Sequence, residues 1–241
     1  MFTKPQPRHA SQLLAYLSSG QFRSGDRLPP IPELAEILGI STSKLREQLE
    51  VARVMGFVEV RPKTGIRTLE YRFTDSVRTS LAFAVSLDPA HFVEFSKFRF
   101  TVEAGFWREA VEKLLPEDVY MLQAIMEAAW AKLRGNPIRI PKEEHRKLHM
   151  TMFKRERNPF VVGVLDAYWD AYEAIGLNVY TDLAYLEETW TYHQKIVDAI
   201  QEQDLAAGHL ALVEHMQMLE HRPELGRIIP VGSTPDLRHK D

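Results

Sequence analysis

A glycine-punctuated pair of short amphipathic segments near the N-terminus constrains this chain more than any other feature. Residues 31–38 place apolar side chains on one side of a helix, and Gly39 follows, where a left-handed backbone readily ends a helix. Ser41 is a good N-cap for a second helix, whose apolar residues are spaced by four, three and three positions: Leu45, Leu49, Ala52 and Met55. Two helices joined by such a tight turn are typical of a helix-turn-helix.

The flanking residues extend this motif to a winged helix. A leucine stripe from Leu13 to Leu17 predicts a preceding helix that stops by Gly20. Residues 57–60 and 61–69 predict two short strands around a basic turn, the wing. We expect the start of the second helix and the wing to form a DNA-binding face, made by Ser41, Thr42, Ser43, Lys44, Arg46, Arg61, Lys63 and Gly65.

Charge is distributed unevenly along the 241 residues. Residues 1–72 carry 11 Lys and Arg against 7 Asp and Glu, a net charge of +4, whereas the remainder carries 19 against 26, a net charge of −7. A basic N-terminal part on an acidic remainder suits a DNA-binding module followed by a domain with another task. Chance scatter of surface charge is the alternative.

Composition excludes several kinds of site. The chain has no cysteine, which excludes disulfides, thiolate metal sites and cysteine nucleophiles. No apolar run approaches the ~20 residues that cross a bilayer, and the first residues hold no apolar signal core. With 45% hydrophobic residues the chain can bury a sizeable core. We therefore expect a cytoplasmic protein without a membrane partner.

The N-terminal motifs resemble those of the GntR family of bacterial regulators. The matching residues run in order over residues 25–65: Gly25-Asp26-Arg27-Leu28-Pro29, Glu33-Leu34-Ala35, Leu38-Gly39-Ile40-Ser41, Leu45-Arg46-Glu47-Gln48-Leu49, Gly56-Phe57-Val58 and Gly65. The resemblance implies a winged helix-turn-helix over residues 9–70 that binds operator DNA. It also implies that Arg46 is the arginine that contacts the operator from the recognition helix.

Two departures from the family pattern concern the operator sequence. Pro30-Ile31-Pro32 replace the serine, acidic residue and arginine that often follow the Leu-Pro pair, and Thr42 stands where an arginine or polar residue is usual. These changes are compatible with the fold but put the family's usual operator sequence in doubt for this chain. The alternative is a winged helix kept only for protein contacts or dimerisation, against which the basic residues on the expected DNA face argue.

From Asp75 onward apolar residues repeat with helical periodicity. Breaks at prolines and at Gln203-Asp204 predict helices at residues 74–86, 89–112, 116–134, 143–156, 159–178, 182–202 and 204–221. Such short connections favour antiparallel neighbours. The sequence therefore predicts a mainly α protein, with an all-α antiparallel helical bundle over residues 75–222 and a flexible C-terminal tail over residues 223–241.

Four histidines in the predicted bundle have the spacing of metal ligands. His145 and His149 lie four residues apart and so on one helical face, and His193 and His215 lie on two later helices. Neutral imidazole is a common ligand for zinc, nickel, copper or iron. Spacing alone leaves an alternative open, because nine histidines in 241 residues give some close pairs and a buried histidine is often only hydrogen-bonded in the core.

Residues 75–222 resemble the all-helical FCD type of ligand-binding domain, found in the FadR subfamily of GntR regulators. Its opening helix usually carries Arg-x-x-Leu-Glu, matched with one swap by Arg99-Phe100-Thr101-Val102-Glu103. Its metal motif is an aspartate, a histidine four residues later, an Asn-Pro pair and two histidines on the last two helices. Here the matching places hold His149, Asn158-Pro159, His193 and His215. The resemblance implies a bound metal ion and a small carboxylate effector.

The departure from this motif is His145, which stands at the aspartate position. An all-imidazole set has one less negative charge, and it favours divalent transition metals such as zinc, nickel or copper, zinc or nickel first, over manganese or magnesium. Alternatively, His145 turns away and three histidines leave open positions for water or an effector. Loss of the metal, as in acyl-CoA-binding members of the family, is the third alternative.

Arg99 has two interpretations. The resemblance implies a guanidinium that faces the pocket and grips an effector carboxylate in a bidentate manner. The alternative is an i, i+4 pair with Glu103 on a solvated face, worth roughly a few tenths of a kcal/mol. The flanking Phe98 and Phe100 favour the pocket. Other aromatic residues are expected in the core rather than around a ligand: Trp107, Tyr168, Trp169, Tyr172 and Trp190.

Together these features predict a ligand-responsive transcription regulator that binds a pseudo-palindromic operator as a homodimer. The resemblance implies a repressor that the effector releases, since this is the commoner outcome in the family, whereas no residue fixes the sign of the response. One alternative is a metal-dependent enzyme on the helical bundle, although the nearest carboxylates, Glu144 and Glu214, are expected on other helix faces than the histidines. A second alternative is a metal sensor, in which the ion itself is the signal.

Overall fold

Helices dominate the part of the chain that the structure describes. A computed structural model describes residues 11–176 and 182–218, which form ten α-helices and one two-stranded antiparallel hairpin. The chain divides into two compact units, and the boundary between Thr79 and Ser80 falls inside the helix Phe73–Leu87. The predicted fold class, a winged helix-turn-helix followed by a helical domain, is confirmed.

Three short helices and the hairpin make up the first unit: α1 Gln12–Leu17, α2 Ile31–Leu38, α3 Thr42–Val54, β1 Val58–Arg61 and β2 Gly65–Thr68. The predicted apolar stripes face inward, and the core of this unit contains Leu13, Leu28, Leu34, Leu45, Leu49, Val58 and Ile66. Met55, predicted as the last residue of the α3 stripe, is the half-buried C-cap of that helix.

The turns of this unit follow the sequence signals. Gly39 takes a left-handed φ of 65° after α2. The side-chain oxygen of Ser41 accepts a hydrogen bond of 3.2 Å from the backbone N–H of Lys44, which caps the start of α3. The two strands pair with Arg61 opposite Gly65, so the wing turn lies directly beyond this pair.

Seven further helices follow: α4 Phe73–Leu87, α5 Ala90–Glu112, α6 Pro116–Leu133, α7 Lys142–Met152, α8 Pro159–Ala174, α9 Leu183–Gln201 and α10 Leu205–Gln217. In the second unit α9 packs against α10 and α6, α6 against α7, and α5 against α8 and α10. Their apolar faces share one core cluster, which includes Trp107, Leu122, Met126, Leu148, Leu165, Trp190, Ile196 and Leu212.

Helix α7 ends at Met152, earlier than the predicted end at residue 156. The carboxylate of Glu156 accepts hydrogen bonds from the backbone N–H groups of Arg157 and Asn158. The side chain of Asn158 in turn accepts from the N–H of Phe160 and caps α8. The residues after Met152 therefore form the hydrogen bonds that precede and cap α8, and they do not continue α7.

Helix α8 ends at Ala174, before a left-handed Gly176, although it was predicted to reach residue 178. Four predicted segments lie outside the described residues: 9–10, 177–178, 219–221 and the tail 223–241. No helix within the described ranges has both the length and the hydropathy of a membrane span. The predicted domain limits remain predictions.

Candidate nucleic-acid interface and metal centre

The N-terminal turn of α3 exposes the polar side chains that the sequence predicts on the DNA face. Ser41, Thr42, Ser43, Lys44 and Arg46 are all exposed. Recognition helices meet base edges and phosphates with their N-terminal residues. This end of α3 therefore presents hydroxyl groups and two cations to solvent.

The wing presents further cations, one of which is already paired. Arg61 and Lys63 are exposed, and Lys63 and Gly65 take left-handed conformations with φ of 70° and 83°. Arg61 forms an ion pair of 2.8 Å with Glu59. Arg27 is not among the predicted contacts, yet an added Cβ at Gly65 would lie 3.3 Å from its Nε atom. A side chain at residue 65 would thus crowd a cation at the wing.

Three helices bring the four predicted histidines together. Helix α7 carries His145 and His149 one turn apart, α9 carries His193 and α10 carries His215. One nitrogen from each ring lies within 4.8 Å of the others. The Nε2 atom of His193 is 3.3 Å from that of His149 and 3.1 Å from that of His215. His145 faces the other three rings and does not turn away.

Burial sets the protonation of this histidine cluster. His149 and His193 are fully buried, His215 is 7% exposed and His145 is half-buried. Burial lowers the pKa of the first three well below the ordinary histidine value, and the positive charge of Arg99 lowers the pKa of each further. The three buried rings are therefore neutral at physiological pH, which is the form that binds metals.

The hydrogen bonding of these rings is incomplete. The Nε2 atom of His193 has one proton or one in-plane lone pair, yet it faces two other Nε2 atoms. Among the described residues, the Nδ1 atoms of His193 and His215 have no hydrogen-bond partner. A tetrahedral ion with metal–nitrogen bonds of ~2.0–2.1 Å holds its nitrogens ~3.3 Å apart. The two spacings measured from His193, 3.3 and 3.1 Å, are close to this value, while the four donor nitrogens together lie within 4.8 Å of one another.

A buried ion pair on α5 lies beside the histidine cluster. The Nε and Nη2 atoms of Arg99 lie 2.8 and 2.7 Å from Oε1 of Glu103. Its Nη2 atom is also 3.0 Å from Nδ1 of His149, and its Nη1 atom is 3.1 Å from the sulfur of Met216 on α10. Every nitrogen of the guanidinium thus has a partner.

The alternative interpretation, in which Arg99 and Glu103 pair on a solvent-exposed helix face, is wrong. The i, i+4 ion pair does form, but the two side chains are 4% and 0% exposed. The reason is helical spacing, which places both residues on the face of α5 that buries Phe92, Ser96 and Trp107.

Burial raises the pKa of Glu103, and the guanidinium of Arg99 opposes this rise. A neutral Glu103 would leave Arg99 as a buried unpaired cation. We therefore take the pair as ionised at neutral pH, so it adds no net charge to the three neutral rings beside it.

Aromatic rings wall this site. Three of them surround His145 at centroid distances of 4.8, 5.8 and 6.1 Å: Trp169, Tyr172 and Trp190. Tyr168 covers the guanidinium of Arg99 at 4.4 Å. All four are buried, as predicted, but they line the site instead of serving only as core. Their apolar surfaces strengthen electrostatic interactions inside it.

Two groups beside the histidines were not predicted to take part. The Oε2 atom of Glu103 and the indole N–H of Trp169 are buried and have no hydrogen-bond partner among the described residues. The carboxylates considered as general bases lie elsewhere, as expected. Glu144 forms an ion pair of 2.7 Å with Lys132, and Glu214 is exposed.

Two family models match this chain. The model described as "Bacterial regulatory proteins, gntR family" matches residues 8–67, and the model of the FCD domain matches residues 94–218. The first covers the winged helix. The second contains every residue of the histidine cluster and of its ion pair.

Several proteins named as transcriptional regulators are similar to this chain over most of their length. The HTH-type transcriptional regulator YcbG of Bacillus subtilis is 27% identical over 88% of this chain and 86% of its own. The Uxu operon transcriptional regulator of Escherichia coli is 24% identical over 83% of this chain and 79% of its own. A solved Streptococcus agalactiae GntR structure shares the fold with a TM-score of 0.62 at 19% identity, covering 87% of this chain and 96% of that one. The chain therefore belongs to the GntR family of bacterial regulatory proteins, with an FCD domain, and is a DNA-binding transcriptional regulator and not an enzyme.

Proposed function

We propose that this regulator is a ligand-controlled repressor whose helical unit binds a divalent transition metal and a small carboxylate. The observation that carries the proposal is the convergence of four imidazole nitrogens within 4.8 Å. A ligand that binds there controls transcription if its affinity differs between the DNA-binding arrangement of the protein and another arrangement.

The residues proposed to hold the metal are His145, His149, His193 and His215. All four donors are nitrogen atoms, which favours zinc or nickel over manganese or magnesium. When bound, the ion supplies an electrophilic centre for a carboxylate oxygen. His145 is the most exposed of the four, so an effector would enter on its side.

Arg99 is proposed to bind the effector carboxylate. Its Nε and Nη2 atoms are engaged by Glu103, but Nη1 donates to the sulfur of Met216, a weak acceptor. A carboxylate beside the histidines would be the stronger acceptor. The indole N–H of Trp169 is a second donor next to His145. Both donors favour an anionic ligand.

Operator DNA is proposed to contact α3 and the wing through Ser41, Thr42, Ser43, Lys44, Arg46, Arg61, Lys63 and Gly65. A homodimer with a twofold axis would read both halves of a pseudo-palindromic site. Two relatives are named as regulators of the Uxu operon and the Exu regulon. By analogy, this chain would control a small set of genes, and effector binding would release it from their operators.

A metal sensor, in which the ion is the signal, is the second candidate. Four protein ligands can close a tetrahedral site and leave no position for a carboxylate. The inward-facing His145 favours this candidate, whereas its partial exposure favours exchange with an effector.

Operator binding by the full-length protein tests the proposal. Fluorescence anisotropy would be measured on DNA selected by the wild type, with metal removed by chelation and restored as zinc. Acetate, succinate and citrate would serve as carboxylate probes. We expect one zinc per chain, and an operator affinity that falls about 10-fold with a carboxylate only in the zinc-loaded protein. A sensor would respond to zinc alone.

The matched variants are His193→Ala, inside the histidine cluster, and His91→Ala, an exposed histidine of α5. Elemental analysis should find zinc lost from the first and retained by the second. A wild type that holds neither zinc nor nickel, or a His193→Ala protein with full metal content, contradicts the metal site.

A further inference from the structure

We propose that Glu103 is a positioning residue for the metal site, whose Oε2 atom accepts the Nδ1–H of His149 when Nε2 of that ring binds the ion. The inference rests on the metal site proposed above. It gives Glu103 a second role beside its ion pair with Arg99.

The geometry leaves one oxygen of Glu103 for this purpose. Oε1 accepts a hydrogen bond of 2.8 Å from Nε of Arg99 and lies 2.7 Å from Nη2 in the same ion pair. Oε2 has no hydrogen-bond partner among the described residues, and it lies 3.5 Å from Nδ1 of His149. Both side chains are 0% exposed, so water is a poor substitute partner. A buried carboxylate oxygen is thus held beside one ring nitrogen.

The chemistry of a neutral imidazole makes that oxygen necessary. The ring carries one proton, and coordination through Nε2 requires that this proton sit on Nδ1. Nδ1 of His149 faces the Nη2 atom of Arg99 at 3.0 Å and the Oε2 atom of Glu103 at 3.5 Å. Arginine has no acceptor. Of these two groups, Glu103 is therefore the one that can accept the proton of the metal-binding tautomer.

The same pair also serves the metal-free ring. Without an ion, Nη2 of Arg99 donates to Nδ1 of His149, so the proton sits on Nε2, where it faces His193. Metal binding moves the proton from Nε2 to Nδ1, with no net gain or loss by the ring. The ion pair thus offers a donor to one tautomer and an acceptor to the other.

This exchange links the metal to the effector donors. When Nδ1 of His149 carries the proton and donates it to Glu103, this nitrogen can no longer accept from Nη2 of Arg99. The guanidinium then has an N–H free for a carboxylate, in addition to Nη1, which donates to Met216. Zinc binding is therefore expected to prepare Arg99 for an anion.

Glu103→Gln is the variant that separates the two roles. The amide oxygen can still accept from Arg99, but the group facing His149 becomes an NH₂, which is a donor like arginine. Loss of such a partner behind a ligating histidine typically weakens metal binding about 10- to 100-fold. Asp118→Asn is the matched control, because Asp118 is equally buried and bonds to Lys154 and Arg155 in place of a histidine.

Two measurements on the full-length protein test the inference. Zinc affinity, by competition with a chelator, should fall at least 10-fold in Glu103→Gln and stay within about 2-fold of the wild type in Asp118→Asn. Nuclear magnetic resonance of ¹⁵N-histidine-labelled, zinc-loaded wild type should show the proton of His149 on Nδ1, in a downfield hydrogen-bonded position. His149→Ala assigns that signal.

Unchanged zinc affinity in Glu103→Gln, or a zinc-loaded His149 with its proton on Nε2, overturns the inference. If Glu103→Gln does not fold, the tautomer in the wild type decides alone. Failure of the proposed metal site has a different signature, because the wild type itself would then take up no zinc.

Discussion

Gly208 of α10 lies where a methyl group does not fit. A Cβ there would lie 2.7 Å from Cζ2 of Trp107 and 3.3 Å from the Cβ of Ala199. Trp107 is 2% exposed, and its indole N–H donates to the carbonyl of Leu205 at 3.0 Å, so the ring is held in place. Overpacking costs about 1–3 kcal/mol, and alanine gains about 1 kcal/mol over a helical glycine. We expect Gly208→Ala to lower the free energy of unfolding by about 1 kcal/mol.

Gly105→Ala is the matched control. Gly105 is an exposed glycine within α5, and an added Cβ there has nothing within 4 Å. We expect this variant to raise the free energy of unfolding by about 0.5–1 kcal/mol, through helix propensity alone. Urea unfolding followed by far-ultraviolet circular dichroism compares the two. If Gly208→Ala stabilises the protein as much as Gly105→Ala does, the packing of α10 against Trp107 is not as described.

Two further predictions concern charged residues. Arg46→Ala should weaken binding to operator DNA selected by the wild type by about 1–3 kcal/mol. Arg53→Ala, on the same helix but already ion-paired with Glu50, should change this affinity little. Equal losses of affinity in an anisotropy titration would refute the proposed DNA-binding face. Hydrogen bonds from Arg155 and Lys154 hold the pKa of Asp118 far below its usual range, so its carboxylate stabilises the native state at neutral pH and this contribution is lost as the pH falls. The destabilisation by Asp118→Asn should therefore be constant from about pH 8 to about pH 5 and shrink below about pH 4, where unfolded aspartate becomes protonated; a difference in urea unfolding that grows toward acid would refute it.

The helices were predictable because their boundaries are local signals. Pro116 and Pro159 stand at the first positions of α6 and α8. A backbone N–H at that position has no partner within the helix, so a proline there costs no hydrogen bond. The end of α7 was less predictable. It depends on Glu156, whose side chain bonds to backbone N–H groups beyond the helix, and apolar periodicity does not register such bonds.

The histidines of the site were predictable from spacing and family resemblance, but the surroundings of Arg99 were not. Phe98, next to Arg99 in sequence, is 52% exposed. An apolar neighbour in sequence was therefore the wrong signal for the burial of Arg99. The right signal was the helical spacing of a buried face, with steps of four, three, four and four residues from Phe92 through Ser96, Arg99, Glu103 and Trp107. No sequence signal indicates that the indole N–H of Trp169 has no partner among the described residues, because this depends on how α8 packs.

Charge is the physical reason to expect the proposed metal ion and carboxylate to bind this site together. Histidines bind a metal as neutral imidazoles, so with an ion bound the four rings and the Arg99–Glu103 pair would add no net charge. A divalent ion alone would then leave two uncompensated positive charges in a buried site, which is costly. His145 stands where the family pattern has an aspartate, so this position adds no negative charge to the site. The proposed anionic effector would supply the compensating charge. The two ligands should then bind cooperatively, and by linkage zinc must raise the affinity for the carboxylate by the factor by which the carboxylate raises the affinity for zinc.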